Sequence, residues 1–231
     1  MNLTIGFSVD LDHLAEPKTA RVLNQMLEAG CNAIQVHAHP DLLKSNPGHL
    51  DLVRSFSYRT VHLPELKDSE SSRELIQASL DLGAKISTHD YTLHPTGLDS
   101  FGWLASEFGN LLSIENMDRR KDFGKTPADL TQVFNELPHA GWIFDVNHIK
   151  TNDPSMALAD EFYNRFSSRL KHYHLSGYVN SRLPHTLLAD TRQDEIIAKV
   201  TDKTKPIILE SLGANDLDRF KEELAYVSAR L

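Results

Sequence analysis

Six short apolar runs in this 231-residue chain each end in a residue able to bind a divalent cation. Thr60-Val61 leads into His62, and Tyr91-Thr92-Leu93 into His94. Glu115 follows Leu111 to Ile114, Asp145 follows Trp142-Ile143-Phe144, His174 falls in the run that also carries His172, and Glu210 follows Pro206 to Leu209. A carboxylate removed from water is costly unless a cation or an ion-pair partner compensates it, so three acids placed directly after apolar runs call for one. No lysine or arginine stands at those run ends, whereas histidines recur there. Histidine mixed with carboxylate is a common ligand set for Zn or Mn. A salt bridge is the structural alternative for any one of the acids taken singly.

These residues can share one site only if the runs before them are brought together. Eight segments of strand length are predicted: Leu3 to Val9, Ala33 to Val36, Arg59 to Leu63, Ala84 to Ser87, Leu111 to Ile114, Trp142 to Phe144, Leu170 to Leu175 and Pro206 to Leu209. Gly30, Gly83, Gly109 and Gly141 stand just before four of them, where a glycine would close a preceding helix. Helices are predicted over Glu16 to Ala29, from Thr126 and Pro127 onward, and over Asp216 to Leu231. Eight strand–helix alternations at about 29 residues per unit predict one compact (β/α)8 TIM barrel over residues 1–231. An open doubly wound sheet is the alternative. In a parallel barrel the C-terminal strand ends converge on one face, which would gather the six residues.

Composition narrows the function classes. With 32 acidic and 24 basic residues the net charge is −8, which weighs against broad nucleic-acid affinity. The 40% hydrophobic and 24% charged fractions are those of a chain with a sizeable core. No apolar stretch approaches the roughly 18 residues of a membrane span, and Met1 to Asp10 lacks the features of a secretory signal, so a cytoplasmic location is expected. Cys31 stands alone, which excludes an internal disulfide and a CxxC site.

The ordered set Val61-His62-Leu63-Pro64, His94-Pro95-Thr96-Gly97, Ile114-Glu115-Asn116, Phe144-Asp145-Val146-Asn147-His148, His172-Tyr173-His174-Leu175 and Leu209-Glu210-Ser211 resembles the xylose isomerase-like barrel superfamily. That superfamily includes endonuclease IV and the ketose epimerases and isomerases. The resemblance runs from about Arg59 to Glu210. It implies that Glu115, Asp145, His174 and Glu210 form the single-metal shell of the epimerases. It also implies that His62 and His94, with Glu115, match the second metal site of endonuclease IV, and that His148 and His185 match its third. The chain departs from that pattern where an aspartate is expected two residues before His185, since Leu183 stands there. This weighs against a three-metal cluster and DNA cleavage. Arg182 resembles an epimerase substrate-binding arginine once one inserted residue is allowed.

The expectation is thus a divalent-metal-dependent (Mn, Zn, Mg or Co) isomerase or epimerase of a small sugar or related hydroxy-carbonyl compound. Glu115 and Glu210 would exchange the carbon-bound proton as base and acid, and His148 would orient substrate. The alternatives are an endonuclease IV-like multi-metal phosphodiester hydrolase and a noncatalytic metal- or sugar-binding barrel. Arg119, Arg120 and Lys121, with Lys125, form a basic cluster after Glu115 that is either a clamp for phosphate or sugar oxygens or a solvated charge run. Among the other histidines, His172 is expected one layer below His174 as an interior residue. His37, His39 and His89 lie near predicted strand ends, and His13, His49 and His139 in loops or helix edges.

Overall fold

The computed structural model describes residues 3–10, 17–38, 49–180, 185–211 and 214–231. Eight parallel strands close into a barrel in sequence order: β1 (Ile5–Asp10), β2 (Ala33–His37), β3 (Tyr58–His62), β4 (Asp90–Leu93), β5 (Leu112–Glu115), β6 (Gly141–Asp145), β7 (Leu170–Leu175) and β8 (Ile207–Leu209). The first strand pairs with the last, Phe7 opposite Leu209, so the predicted barrel is the observed one and the open sheet is excluded. The helices are α1 (Pro17–Ala29), α2 (Leu50–Arg54), α3 (Arg73–Ile86), α4 (Leu104–Phe108), α5 (Pro127–Glu136), α6 (Val146–Asn152), α7 (Ala157–Phe166), α8 (Leu188–Thr191), α9 (Asp194–Ile197) and α10 (Leu217–Ser228). None is long and apolar enough to cross a membrane among the described residues.

Seven of the eight predicted strands lie within about two residues of the observed ones. The exception is Ala84 to Ser87, which belongs to the end of α3; the strand begins at Asp90. Gly83 is inside that helix, where a Cβ would fall 1.9 Å from the Tyr91 hydroxyl, so its role is close packing on β4. Gly141 likewise begins β6 rather than closing a helix. Gly30 and Gly109 do take the positive φ of a chain leaving a helix. Helix α5 starts as its sequence predicts: Thr126 accepts from the Asp129 N–H, the Asp129 carboxylate reaches back to the Thr126 N–H, and Pro127 takes the first turn.

Two packing layers divide the strand residues by parity. Outward residues such as Tyr91, Leu93, Ile114, Trp142, Phe144 and Tyr173 are buried under the helices, and Phe162 and Phe166 of α7 lie against the Trp142 ring at 6.2 and 5.9 Å between centroids. Inward residues are polar on most strands: Gln35, Thr60, Asp90, Thr92, Ser113 and His172 are all fully buried inside the barrel. They bond to one another, as in Gln35 to Thr92 at 3.2 Å and Ser113 to Asp90 at 2.6 Å, while Asp90 Oδ1 has no partner among the described residues. This interior differs from the branched aliphatic filling usual in such barrels. It also sets register, because a one-residue slip would turn every one of these groups outward.

Candidate metal centre

Strand parity that buries Ser113 and His172 one layer down brings Glu115 and His174 to the mouth of the barrel. Register does the rest: His62 pairs with Thr92 just below His94, and Asp145 is directly opposite His174. His174 Nδ1 lies 3.2 Å from a Glu115 oxygen and 3.2 Å from a Glu210 oxygen. One ligand atom from each of Glu115, Asp145, His174 and Glu210 falls within 4.8 Å of all the others. His62, His94 and Glu115 form a second such group, with His62 Nε2 and His94 Nε2 3.5 and 3.4 Å from Glu115 Oε2 and 3.1 Å from each other. Glu115 belongs to both groups, presenting Oε1 to one and Oε2 to the other.

These atoms fit a cation. Both oxygens of Glu115, Oδ2 of Asp145 and Nδ1 of His174 are buried with no hydrogen-bond partner among the described residues, a condition rare for buried polar atoms. The electrostatics agree. Burial opposes the charge on Glu115, but the imidazoles of His174, His62 and His94 outweigh it and hold the carboxyl well below its ordinary range. Glu210 is balanced the same way, with His174 chiefly overcoming burial to bring it down to about 2. Asp145 goes the other way, pushed well above its ordinary value by burial and then by the charges of Glu115 and Glu210. His174 is raised to about 9 because Glu210 and Glu115 overcome its burial. Three crowded carboxylates therefore draw protons onto Asp145 and His174, supplying positive charge where a divalent cation would supply more.

Two asparagines brace the mouth. The Asn116 side chain accepts from the Asp145 N–H at 3.1 Å and donates to the Asp145 carbonyl at 2.8 Å, tying β5 to β6. Asp145 caps α6, its Oδ1 accepting from the His148 N–H at 2.7 Å, which leaves Oδ2 for the cluster. That cap places His148 over the site, 3.4 Å from Glu115, with its Nδ1 2.8 Å from the Asn116 carbonyl. Asn147 donates to the carbonyls of Ser176 and Gly177, holding α6 against the segment after β7. The Ser176 hydroxyl meets His185 at 3.0 Å, and His185 reaches to 3.8 Å from Glu210.

The predicted residues fall into three sets. Glu115, Asp145, His174, Glu210, His62, His94, His148 and His185 are brought together. Arg182 lies outside the described residues, as do His13, His39 and Leu183. The basic cluster divides: Arg119 is exposed and bonded to the Tyr178 hydroxyl at 2.9 Å, Arg120 is held by Asp118, and Lys121 by Glu65 at 2.7 Å. Arg120 and Lys121 also line the cavity that opens above the cluster, each paired there with its carboxylate. His89 precedes β4, at the barrel end opposite the site, where its ring meets the Arg59 carbonyl at 3.2 Å. His37 does reach the site; it stacks on His62 at 4.6 Å, binds the Ser8 hydroxyl at 2.6 Å, and is lowered to about 3 by burial and by His62. Asn116, Asn147 and Asp118 had no predicted role. The asparagines' signal was their place next to strand-end acids, Asn116 directly after Glu115 and Asn147 two residues beyond Asp145.

Above the cluster opens a cavity of about 730 Å³, lined by Ser8, His37, His62, His94, His148, His185 and Glu210 among others. Its size is that of a small-molecule site.

No family model and no curated protein sequence matches the chain. Solved structures do. The Escherichia coli 3-keto-D-glucoside 4-epimerase YcjR aligns over 99% of this chain and 100% of its own, with 14% identity and a TM-score of 0.66. A xylose isomerase domain protein from Alicyclobacillus acidocaldarius aligns over 98% of both chains at 13% identity and a TM-score of 0.68. The D-allulose 3-epimerase from a Methylomonas species covers 100% of this chain and 99% of its own, at 14% identity and a TM-score of 0.67. The chain thus shares its eight-stranded barrel fold with these proteins.

Proposed function

We propose that this protein is a divalent-metal-dependent isomerase or epimerase acting on a small sugar or a related hydroxy-carbonyl compound. The observation that carries the reading is the group Glu115, Asp145, His174 and Glu210, whose ligand atoms lie within 4.8 Å of one another below a small-molecule cavity. The names of the similar structures, sugar epimerases among them, support the substrate class. Those four residues would hold the cation, Mn, Zn, Mg or Co by ligand type. Bound there, it would supply Lewis-acid polarisation of oxygens on adjacent substrate carbons.

The chain's own groups do the rest. Glu115 and Glu210 each lie 3.2 Å from His174 Nδ1. One carboxylate removes the carbon-bound proton, and the other, protonated beforehand from solvent, delivers a proton to the opposite face. His148 and His185, their ring centroids 5.6 Å apart at the cavity wall, orient substrate hydroxyls.

A second reading, an endonuclease IV-like phosphodiester hydrolase, is favoured by one observation: His62, His94 and Glu115 form a further group suited to a cation. Metal analysis and two assays separate the readings. The epimerase reading expects one tightly held cation per chain and deuterium uptake from heavy water into a carbon position of a ketose panel. Two cations per chain with hydrolysis of bis-p-nitrophenyl phosphate or abasic DNA would instead establish the hydrolase. Neither activity with any of the four metals would overturn both.

A further inference from the structure

Below the cluster, one buried chain of contacts leads away from His174 toward the other end of the barrel. His174 Nε2 lies 3.0 Å from Nε2 of His172, and His172 Nδ1 lies 2.9 Å from the Tyr58 hydroxyl. Both histidines are fully buried. Nitrogen against nitrogen at that distance requires a single proton between them, because two N–H groups would collide and two lone pairs would repel. Which ring carries it determines what the far nitrogen of His174 can offer. If the proton is on His174 Nε2, the neutral ring presents a lone pair at Nδ1, the atom 3.2 Å from both Glu115 and Glu210.

The geometry points to His172 as a positioning residue that accepts the His174 Nε2–H, donates its own Nδ1–H to Tyr58, and thereby fixes the His174 tautomer that can ligate a cation. This inference rests on the cation reading of the site and deepens it. Metal-binding imidazoles generally need a partner on the second nitrogen. Here the partner is another histidine on the same strand, brought to the same side by the two-residue period of β7. The Gln35 amide is the other neighbour of His174 Nε2, also at 3.0 Å. With its NH2 toward that nitrogen it would favour the opposite tautomer. A half-turn of the amide puts the oxygen there, and Ser8 and Thr92, each 3.2 Å from Gln35, can serve either orientation because a hydroxyl both donates and accepts. His172 has no such freedom once its Nδ1–H is given to Tyr58.

The test uses Zn²⁺ alone as the probe, on folded full-length protein. Imidazole ¹H–¹⁵N correlation spectra of the Zn-loaded wild type should show His174 protonated at Nε2 and His172 at Nδ1. His172→Phe should weaken Zn²⁺ affinity by about 10- to 100-fold, the range for loss of such a partner. His172→Gln, whose amide oxygen can accept the same proton, should recover most of that loss. Tyr58→Phe supplies a milder variant should the histidine replacements unfold; it should shift the His172 ring resonances and weaken Zn²⁺ less than His172→Phe. Unchanged affinity in folded His172→Phe, no recovery in His172→Gln, or a Zn-loaded His174 protonated at Nδ1 would each overturn the positioning role while leaving the cation site standing. A wild type that binds no Zn²⁺, Mn²⁺, Mg²⁺ or Co²⁺ would overturn the cation reading and this inference with it.

Discussion

At the level of single residues, the acids that follow apolar runs were legible because burying a carboxylate demands an explanation, and Glu115, Asp145 and Glu210 share one. The polar layer beneath them was harder to read. Gln35, Asp90 and Ser113 alternate with apolar or aromatic neighbours, and His172 lies between Lys171 and Tyr173, in strands of four to six residues, where a short run scanned for its apolar content hides the alternation. Asp90 shows what that layer does to stability. It is fully buried, bonded to Ser113 through Oδ2 at 2.6 Å, and burial raises it from 3.8 to about 7. The folded state therefore holds a proton that the unfolded chain releases near pH 4, so the stability this group contributes is full below about pH 4 and lost as pH rises through about 7. Asp90→Asn removes that dependence while keeping an acceptor for Ser113. The variant should exceed the wild type in denaturant unfolding at pH 8, by at most about 4 kcal/mol for a shift near three units, with the difference vanishing toward pH 4. A constant difference across that range would show that Asp90 does not titrate as stated.

Elements were legible where local chemistry and tertiary need agree, as at α5. Thr126-Pro127-x-Asp129 reads as a helix start in sequence and forms both bonds of a capping box in the fold. Thr126→Ala should cost about 1 kcal/mol and lower the melting temperature by roughly 2–4 °C for a domain of this size. A shift below 1 °C would mean that Asp129 and Pro127 hold the helix start unaided. Ala84 to Ser87 shows the opposite case. An apolar stretch after a glycine looks like a strand, but Gly83 is there to let α3 approach Tyr91, and the helix runs on to Ile86. Tertiary packing took a residue that local propensity assigns to a stop and used it for contact. Arg119 to Lys121 differ for a related reason: their partners Tyr178, Asp118 and Glu65 are set by the folded loops, and two of the three lie more than 50 residues away in sequence.

For the molecule as a whole, barrel closure is what converts six separated strand ends into one site, and it also concentrates like charge. Glu115, Asp145 and Glu210 come from three strand ends and would repel one another if all were ionised. In the absence of a cation, Asp145 keeps its proton well above the ordinary carboxylate range, through burial and then through its two acidic neighbours. That group's contribution to folding is full at low pH and falls as pH rises through its raised value. A bound dication reverses the balance by favouring the ionised carboxylate, so chelation and alkaline pH should act together. Stripping the protein with EDTA at pH 8 should lower its melting temperature. Restoring Mn²⁺ or Co²⁺ to about 100 times its Kd should return about 2.7 kcal/mol, or roughly 5–11 °C at this chain length. The same addition at pH 5 should return much less, because protons then compete for Asp145 and for the His174 nitrogen. Calorimetric melts with and without metal at the two pH values measure all four states. Equal metal-induced shifts at pH 5 and pH 8 would show that the cation does not bind through groups that must give up protons, and would remove Asp145 and His174 from its coordination.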